Sequence, residues 1–220
     1  MSHRWEIHRV VGDVAAFHAE NRLDAPVSRT ATFVRADRPT LVLGSSQQVE
    51  RIDTDEARRR GVEVVGRRSG GGAVLLVPGE FVWLDLRIGA DDPLWSTDVA
   101  RAMVWVGALW VAALADLGVA GRVHDGAFEP SRWSSDVCWS GLGTGEVVDA
   151  VGAKIVGISQ RRSRSGARFQ SMAHLTWRPD LVSALVASPA PTPDELAPVA
   201  VSVPVADATA VENALIAHLP

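Results

Sequence analysis

Lysine is almost missing from this 220-residue chain: of its 22 basic side chains, 21 are arginine and one, Lys154, is lysine. A pressure that replaced every other lysine should have replaced this one too, so its survival in "VGAKIVG" points to a site that takes an ammonium and rejects a guanidinium, the alternative being chance survival of one surface lysine. Lysine is a compact point charge on a flexible stem, whereas arginine is wide and planar. Cysteine is nearly as scarce. With Cys138 alone an intramolecular disulfide is excluded, and a structural zinc finds no cysteine partners. Tyrosine is absent while tryptophan occurs eight times, which leaves large apolar packing to tryptophan. No apolar run is long enough for a membrane: the longest, residues 102–115, falls short of the roughly 17–25 residues a spanning helix needs. The first residues lack the basic-then-apolar layout of a secretory signal, so a cytoplasmic protein is expected. A net charge of −4 argues against a general nucleic-acid binder.

What is present reads as one mixed domain. "GDVAAFHAENRL" predicts a helix capped by Asp13, and "PTLVLGS" a buried strand closed by Gly44. In "DTDEARRRG", Asp53 and Glu56 stand at capping-box spacing before a helix that Gly61 ends. Short strands follow in "VEVV", "AVLLV" and "FVWLDLRI", the last with Val82, Leu84, Leu86 and Ile88 alternating against Phe81, Trp83, Asp85 and Arg87. Ser96 to Leu117 predicts one long helix across a sheet, residues 122–146 an irregular stretch, and "VGAKIVGISQ" and "FQSMAHLTW" two strands joined by a polar loop, "RRSRSGAR". Residues 1–187 are expected to form the catalytic unit, with 188–220 a proline-rich connection and a final helix packed on it.

Between two of these strands lies "VVGRRSGGGAVLLV". Gly70, Gly71 and Gly72 permit positive φ and close approach of backbone amides to a ligand, although an ordinary hairpin turn has the same composition. A P-loop or a dinucleotide loop would lead into a helix, and here a strand follows. Arg67 and Arg68 just before the glycines suit an anion, because guanidinium forks bind phosphate or carboxylate bidentately. Cys138, in apolar "DVCW", reads as an inert packed thiol in a strand. His174 reads as core or pocket wall, and the histidines show no metal-ligand spacing. Arg161, Arg162, Arg164 and Arg168 form either a solvated loop or a surface for an acidic carrier, CoA phosphates or a nucleotide.

Taken together, "LVLGSSQ", "RRSGGGAV", "RWSSDVCW" and "GAKIVGISQRR", in that order over residues 41–162, resemble the catalytic domain shared by lipoate-protein ligases, lipoyl and octanoyl transferases and biotin-protein ligases. The resemblance implies an α+β fold of the class II aminoacyl-tRNA synthetase type, with a mostly antiparallel sheet flanked by helices. It implies an enzyme that joins lipoate or octanoate to ATP, with Mg2+, as an acyl-adenylate and then acylates a lysine of a lipoyl carrier domain. Lys154 would be the catalytic lysine, touching the acid's carboxyl oxygen and the α-phosphate. Arg67, Arg68, Ser69, Gly70, Gly71, Gly72, Ala73, Gly157 and Ser159 would hold the substrate, and Asp136 and Gly72, with Lys154, the nucleotide; no protein-held metal is assigned. Three departures stand out: Leu76 and Val77 occupy the place of a His-Asp pair, Ser135 that of an asparagine before Asp136, and no accessory C-terminal domain follows, which a separate subunit would then supply. The alternatives are a biotin ligase, an acyltransferase working through a cysteine thioester, and a binding protein without turnover.

Overall fold

The computed structural model describes residues 4–20, 23, 28–205 and 207–220. In chain order these form β1 (Glu6–Gly12), α1 (Val14–Ala19), β2 (Thr30–Ala36), β3 (Thr40–Leu43), α2 (Thr54–Arg59), β4 (Glu63–Gly66), β5 (Val74–Leu76) and β6 (Phe81–Gly89). There follow α3 (Val104–Asp116), β7 (Arg122–Val123), β8 (Val147–Val148), β9 (Lys154–Arg162), β10 (Gly166–His174), α4 (Pro179–Leu185), α5 (Pro193–Leu196) and α6 (Ala208–Ala217). One sheet runs β1-β2-β6-β10-β9-β8-β7, antiparallel except for the β1/β2 pair, and a small one runs β4-β3-β5. The expected α+β class with a mostly antiparallel sheet is what forms.

All nine residues of β6 are buried, because both faces of the large sheet are covered. The alternation read in its sequence sorts the two faces. Val82, Leu84, Leu86 and Ile88 join Trp110, Leu114, Val211 and Leu215 in a core under α3 and α6, while Phe81 and Trp83 join Leu41, Leu75, Trp139 and Met172 in a second core shared with the small sheet. Trp110 Nε1 donates to Ser171 Oγ at 2.8 Å, which ties α3 to the middle of β10 without leaving a buried donor unpaired. The end caps follow the sequence: Asp13 accepts from Ala15 N and Ala16 N, and Asp53 accepts from Glu56 N. The predicted extension of α1 beyond Glu20 falls partly on residues outside those described.

Two expectations need correction. The helix read from Ser96 begins only at a 3-10 turn, Arg101–Met103, that leads into α3. The carbonyls of Ser96 and Val99 are taken by the side chains of Arg162 and Gln160 on β9, and Asp98 Oδ1 accepts from Arg101 N instead of capping a longer helix. The polar loop "RRSRSGAR" is mostly strand. β9 runs to Arg162 and β10 starts at Gly166, so Arg161 pairs across from Arg168 in the ladder and only Arg164 of the four arginines sits in the turn. Arg168 points inward, 2.6 Å from Asp85, and Arg162 lies over the Trp95 ring.

The last third of the chain adds to the same cores. Val201 N donates to Lys154 O and Val203 N to His174 O, so residues after α5 close the open end of the β9/β10 pair.

Candidate active site

A cleft of about 540 Å³, part of it open to solvent, lies between the two sheets. Its walls carry Val42, Val74, Leu76, Trp83, Ile158 and Met172, and its polar points are few: Lys154, Arg67, Cys138, Ser159, Gln170 and His18. An apolar trough with a few convergent polar groups is what a small-molecule site requires. The β6/β10/β9 register orders its floor. Trp83, Met172 and Gly157 stand abreast, and the next row is Asp85, Gln170 and Ser159.

Lys154, at the start of β9, is only 3% exposed. Its Nζ lies 2.8 Å from Glu146 Oε2, donates to Cys138 O at 3.2 Å, and sits 5.6 Å from the centre of the Trp139 ring. Glu146 is itself buried, and its carboxylate also accepts from Gly143 N at 2.7 Å and Ile158 N at 3.1 Å. The solitary lysine is therefore a packed group in a fixed ion pair, lining the cleft.

The glycine turn reaches the lysine through Cys138. Ala73 N donates to Asp136 O and Cys138 N to Ala73 O, an isolated parallel bridge that lays Gly72 against residues 136–138. A Cβ on Gly72 would come within 2.7 Å of Val137 N, so only glycine fits. Gly44 makes the second close approach: a Cβ there would stand 1.8 Å from Gly71 O. Gly44→Ala is expected to push the turn out of register, lowering the melting temperature by several degrees and costing at least about tenfold in activity; a stability of wild-type size with full activity would contradict this packing.

Arg67 is buried inside the turn. Its Nη2 donates to Gly70 O at 2.8 Å and Gly72 O at 2.9 Å, its Nη1 to Val42 O at 3.2 Å, and its Nε has no hydrogen-bond partner among the described residues. It stiffens the glycine turn and lends positive charge to the cleft wall. Arg68 is exposed and makes no hydrogen bond or ion pair among the described residues. Ser69 is buried, its carbonyl accepting from Ser45 N and its Oγ standing 3.4 Å from Ser159 Oγ across the cleft edge. Gly70 and Gly71 are exposed at the tip, and Gly71 adopts φ +96°. Asp136 holds Arg51 bidentately at 2.8 and 3.0 Å, which raises the Arg51 pKa, and its carbonyl accepts from Gln47 Nε2. Ser135 is part of the turn preceding Cys138, and Leu76 and Val77 are apolar wall and its neighbour.

The strand expected at Cys138 does not form. It stands in a 3-10 turn, Cys138–Ser140, not in a strand; it is half-buried and lines the cleft, with its Sγ 3.8 Å from Arg67 Nη2. Sequence reasoning also passed over Glu146, Arg51 and His18. Glu146 lay in the stretch read as irregular, and no spacing rule joins a carboxylate there to Lys154.

Two buried histidines flank the site. His18 stacks on Trp83 with ring centroids 5.2 Å apart, and burial, then Arg168 and Arg67, lower its pKa to about 3. His174 packs between Trp139 and Trp177; burial lowers its pKa to about 3 as well. Both folded values lie below the unfolded value of 6.5, so the unfolded chain binds more protons as pH falls. Stability is expected to decline from about pH 6.5 downward, by up to about 1.4 kcal/mol per pH unit for each histidine. Urea unfolding at stepped pH checks this, and His174→Phe should remove one histidine's share of the slope.

Among the described residues, the carboxylates at the cleft are already committed. Asp136 is held by Arg51, Glu146 by Lys154, and Asp85 by Arg87 and Arg168, and among the described residues no cluster of His, Cys, Asp or Glu has metal-binding geometry. A protein-held Mg2+ does not fit these residues. No helix among them is long and apolar enough to cross a membrane.

Comparison with known proteins bears on this arrangement. Residues 15–206 match the lipoyl protein ligase A/B catalytic domain. The octanoyltransferase LipM of Carboxydothermus hydrogenoformans is 32% identical over 146 residues, 66% of this chain and 51% of that protein, so the match spans about half the relative's length. Among solved structures, lipoate-protein ligase A bound with ATP superposes with a TM-score of 0.74 at 18% identity, covering 99% of this chain and 84% of that one. The bipartite lipoate protein ligase of Thermoplasma acidophilum, solved in a study of that ligase and its E2 lipoyl domain, also gives 0.74 at 18%, covering 96% and 80%. At that identity the two structures speak to the fold alone.

Proposed function

The chain belongs to the lipoyl protein ligase A/B catalytic-domain family, and from that premise we propose that it moves a medium-chain acyl group, such as octanoyl, from a carrier thioester through Cys138 to a lysine of a lipoyl domain. The observation that carries this reading is the place of the thiol. Cys138 lines the apolar cleft, its Sγ 3.8 Å from Arg67 Nη2, while its own carbonyl accepts from Lys154 Nζ, so nucleophile and ammonium are fixed to one another through a single residue. Each methylene buried in the cleft is worth about 0.8 kcal/mol.

Counting donors supports the same reading. An ammonium has three N–H groups. Two of those on Lys154 are directed at Glu146 and at Cys138 O, leaving one for substrate. One donor suits the single carbonyl oxygen of a thioester. Touching a carboxyl oxygen and an α-phosphate together would require breaking a contact the fold already makes.

The chemistry runs in two exchanges. The Cys138 sulfur attacks the donor thioester carbonyl, the carrier's thiol leaves with the proton from Cys138, and the acyl group stays on Sγ. An acceptor lysine amine then attacks that carbonyl, an amide forms, and the Cys138 thiol is regenerated with the proton lost by the amine. In both exchanges negative charge grows on the carbonyl oxygen, where the remaining Lys154 N–H donates. The Arg67 guanidinium lends further positive potential from beside the sulfur.

A second reading, activation of lipoate or octanoate by ATP with nucleotide-borne Mg2+, is favoured by one observation: exposed Arg68 beside Gly70 and Gly71 suits a phosphate group. In that scheme Lys154, Gly72 and Asp136 would face the nucleotide, Asp136 through its hold on Arg51. The deciding experiment offers the protein octanoyl carrier protein without ATP, and separately octanoate with ATP, then an apo lipoyl domain. An increment of one octanoyl group on the protein in the first mixture supports transfer. Octanoyl-adenylate in the second, with no increment in the first, supports ligation, and neither product would leave a binding protein.

A further inference from the structure

The Lys154 ammonium is presented to the cleft already joined to a carboxylate. Glu146 has three protein donors on two oxygens: Lys154 Nζ at 2.8 Å and Gly143 N at 2.7 Å on Oε2, and Ile158 N at 3.1 Å on Oε1. The turn that carries it is built for the position. Gly145 adopts φ +91°, a Cβ on Gly145 would meet Met103, and a Cβ on Gly107 of α3 would stand 2.1 Å from Gly145 O, so helix and turn touch backbone to backbone. A Cβ on Gly157 would be 3.6 Å from Glu146 Oε1 and 3.9 Å from Lys154 Cδ, which brings the pair close beneath that glycine on the cleft floor.

We infer that Glu146 is a positioning and selectivity residue: it aims the last Lys154 N–H into the cleft and makes the pair formally neutral, so that the site takes a neutral acyl carbonyl, thioester or ester, in preference to a free carboxylate. This rests on the acyl-cleft reading above and sharpens its substrate class. A lone buried ammonium would attract a carboxylate strongly. With Glu146 in place, a substrate carboxylate at the same N–H meets a second carboxylate sharing that ammonium, and like charges set side by side weaken binding. A thioester carbonyl brings no charge and needs only the one donor.

The test compares two ligands with the same chain, octanoate and methyl octanoate, by quenching of the cleft tryptophans Trp83 and Trp139. Wild-type protein is expected to bind the ester at least about thirtyfold more tightly. In Glu146→Gln, which removes the charge and keeps an acceptor for one of the two backbone amides, octanoate should tighten by at least about tenfold relative to the ester. A side chain with a merely structural role would loosen both ligands alike. Octanoate bound by wild type as tightly as the ester, or an unchanged ratio in the folded variant, overturns the inference. Should Glu146→Gln fail to fold, the wild-type ratio alone decides. Failure of the transfer reading shows separately, as the absence of an octanoyl increment on Cys138.

Discussion

Cys138→Ser is expected to lose octanoyl transfer from a carrier thioester by at least about a thousandfold while keeping its fold and its apolar cleft. A hydroxyl is close to a thiol in size, so the 3-10 turn, its bridge to Ala73 and the Lys154 contact with the residue 138 carbonyl should all persist. What is lost is the nucleophile, because among the described residues the polar partner of the residue 138 side chain is the Arg67 guanidinium, which cannot act as a base to activate a serine hydroxyl. Intact-mass measurement after exposure to octanoyl carrier protein should show one added octanoyl group on wild type and none on the variant. The same variant separates the two routes. If acyl groups are activated by ATP, Cys138→Ser would still form octanoyl-adenylate at near wild-type rate, and transfer at near wild-type rate in the variant would end the thioester mechanism.

The fold was legible because its signals are local. Asp13 and Asp53 cap the helices where their spacing says they should, the triple glycine lies between two strands, and the alternation in β6 divides two cores. Errors arose where a side chain from far along the chain competes for backbone. Arg162 and Gln160 capture carbonyls at Ser96 and Val99 and delay α3, and ladder pairing with β6 carries β10 back through what composition reads as a loop. The site divided in the same manner. A solitary lysine between glycines could be singled out from sequence, and it proves to be buried on the cleft wall, joined to the glycine turn through Cys138. Its carboxylate partner could not, since Glu146 reaches Lys154 only through the β8/β9 pairing and a turn held by Gly107. Nor could composition tell that Cys138 faces a cleft, because an apolar neighbourhood in sequence describes a core and a pocket wall alike.

Lys154→Arg should reduce acyl transfer by about a hundredfold to a thousandfold although it preserves the charge, the size expected for losing one well-placed donor to the developing oxyanion. Three neighbours crowd Nζ: Glu146 at 2.8 Å, Cys138 O at 3.2 Å and the Trp139 ring at 5.6 Å. A planar guanidinium can keep a fork on Glu146 only by pushing against Trp139 or the 3-10 turn, and overpacking of this kind costs about 1–3 kcal/mol of stability. The thiol then moves with the carbonyl it is attached to. Loss should therefore appear mainly in kcat for Cys138 acylation, with the acyl chain still bound along Trp83 and Met172. Lys154→Met, which keeps the stem and drops the charge, should be at least as inactive but better packed against Trp139, leaving Glu146 as the unpaired member. Near-normal turnover in Lys154→Arg would mean that a broad cation serves as well as a narrow one, and the survival of a single lysine in an arginine-rich chain would then have no catalytic cause.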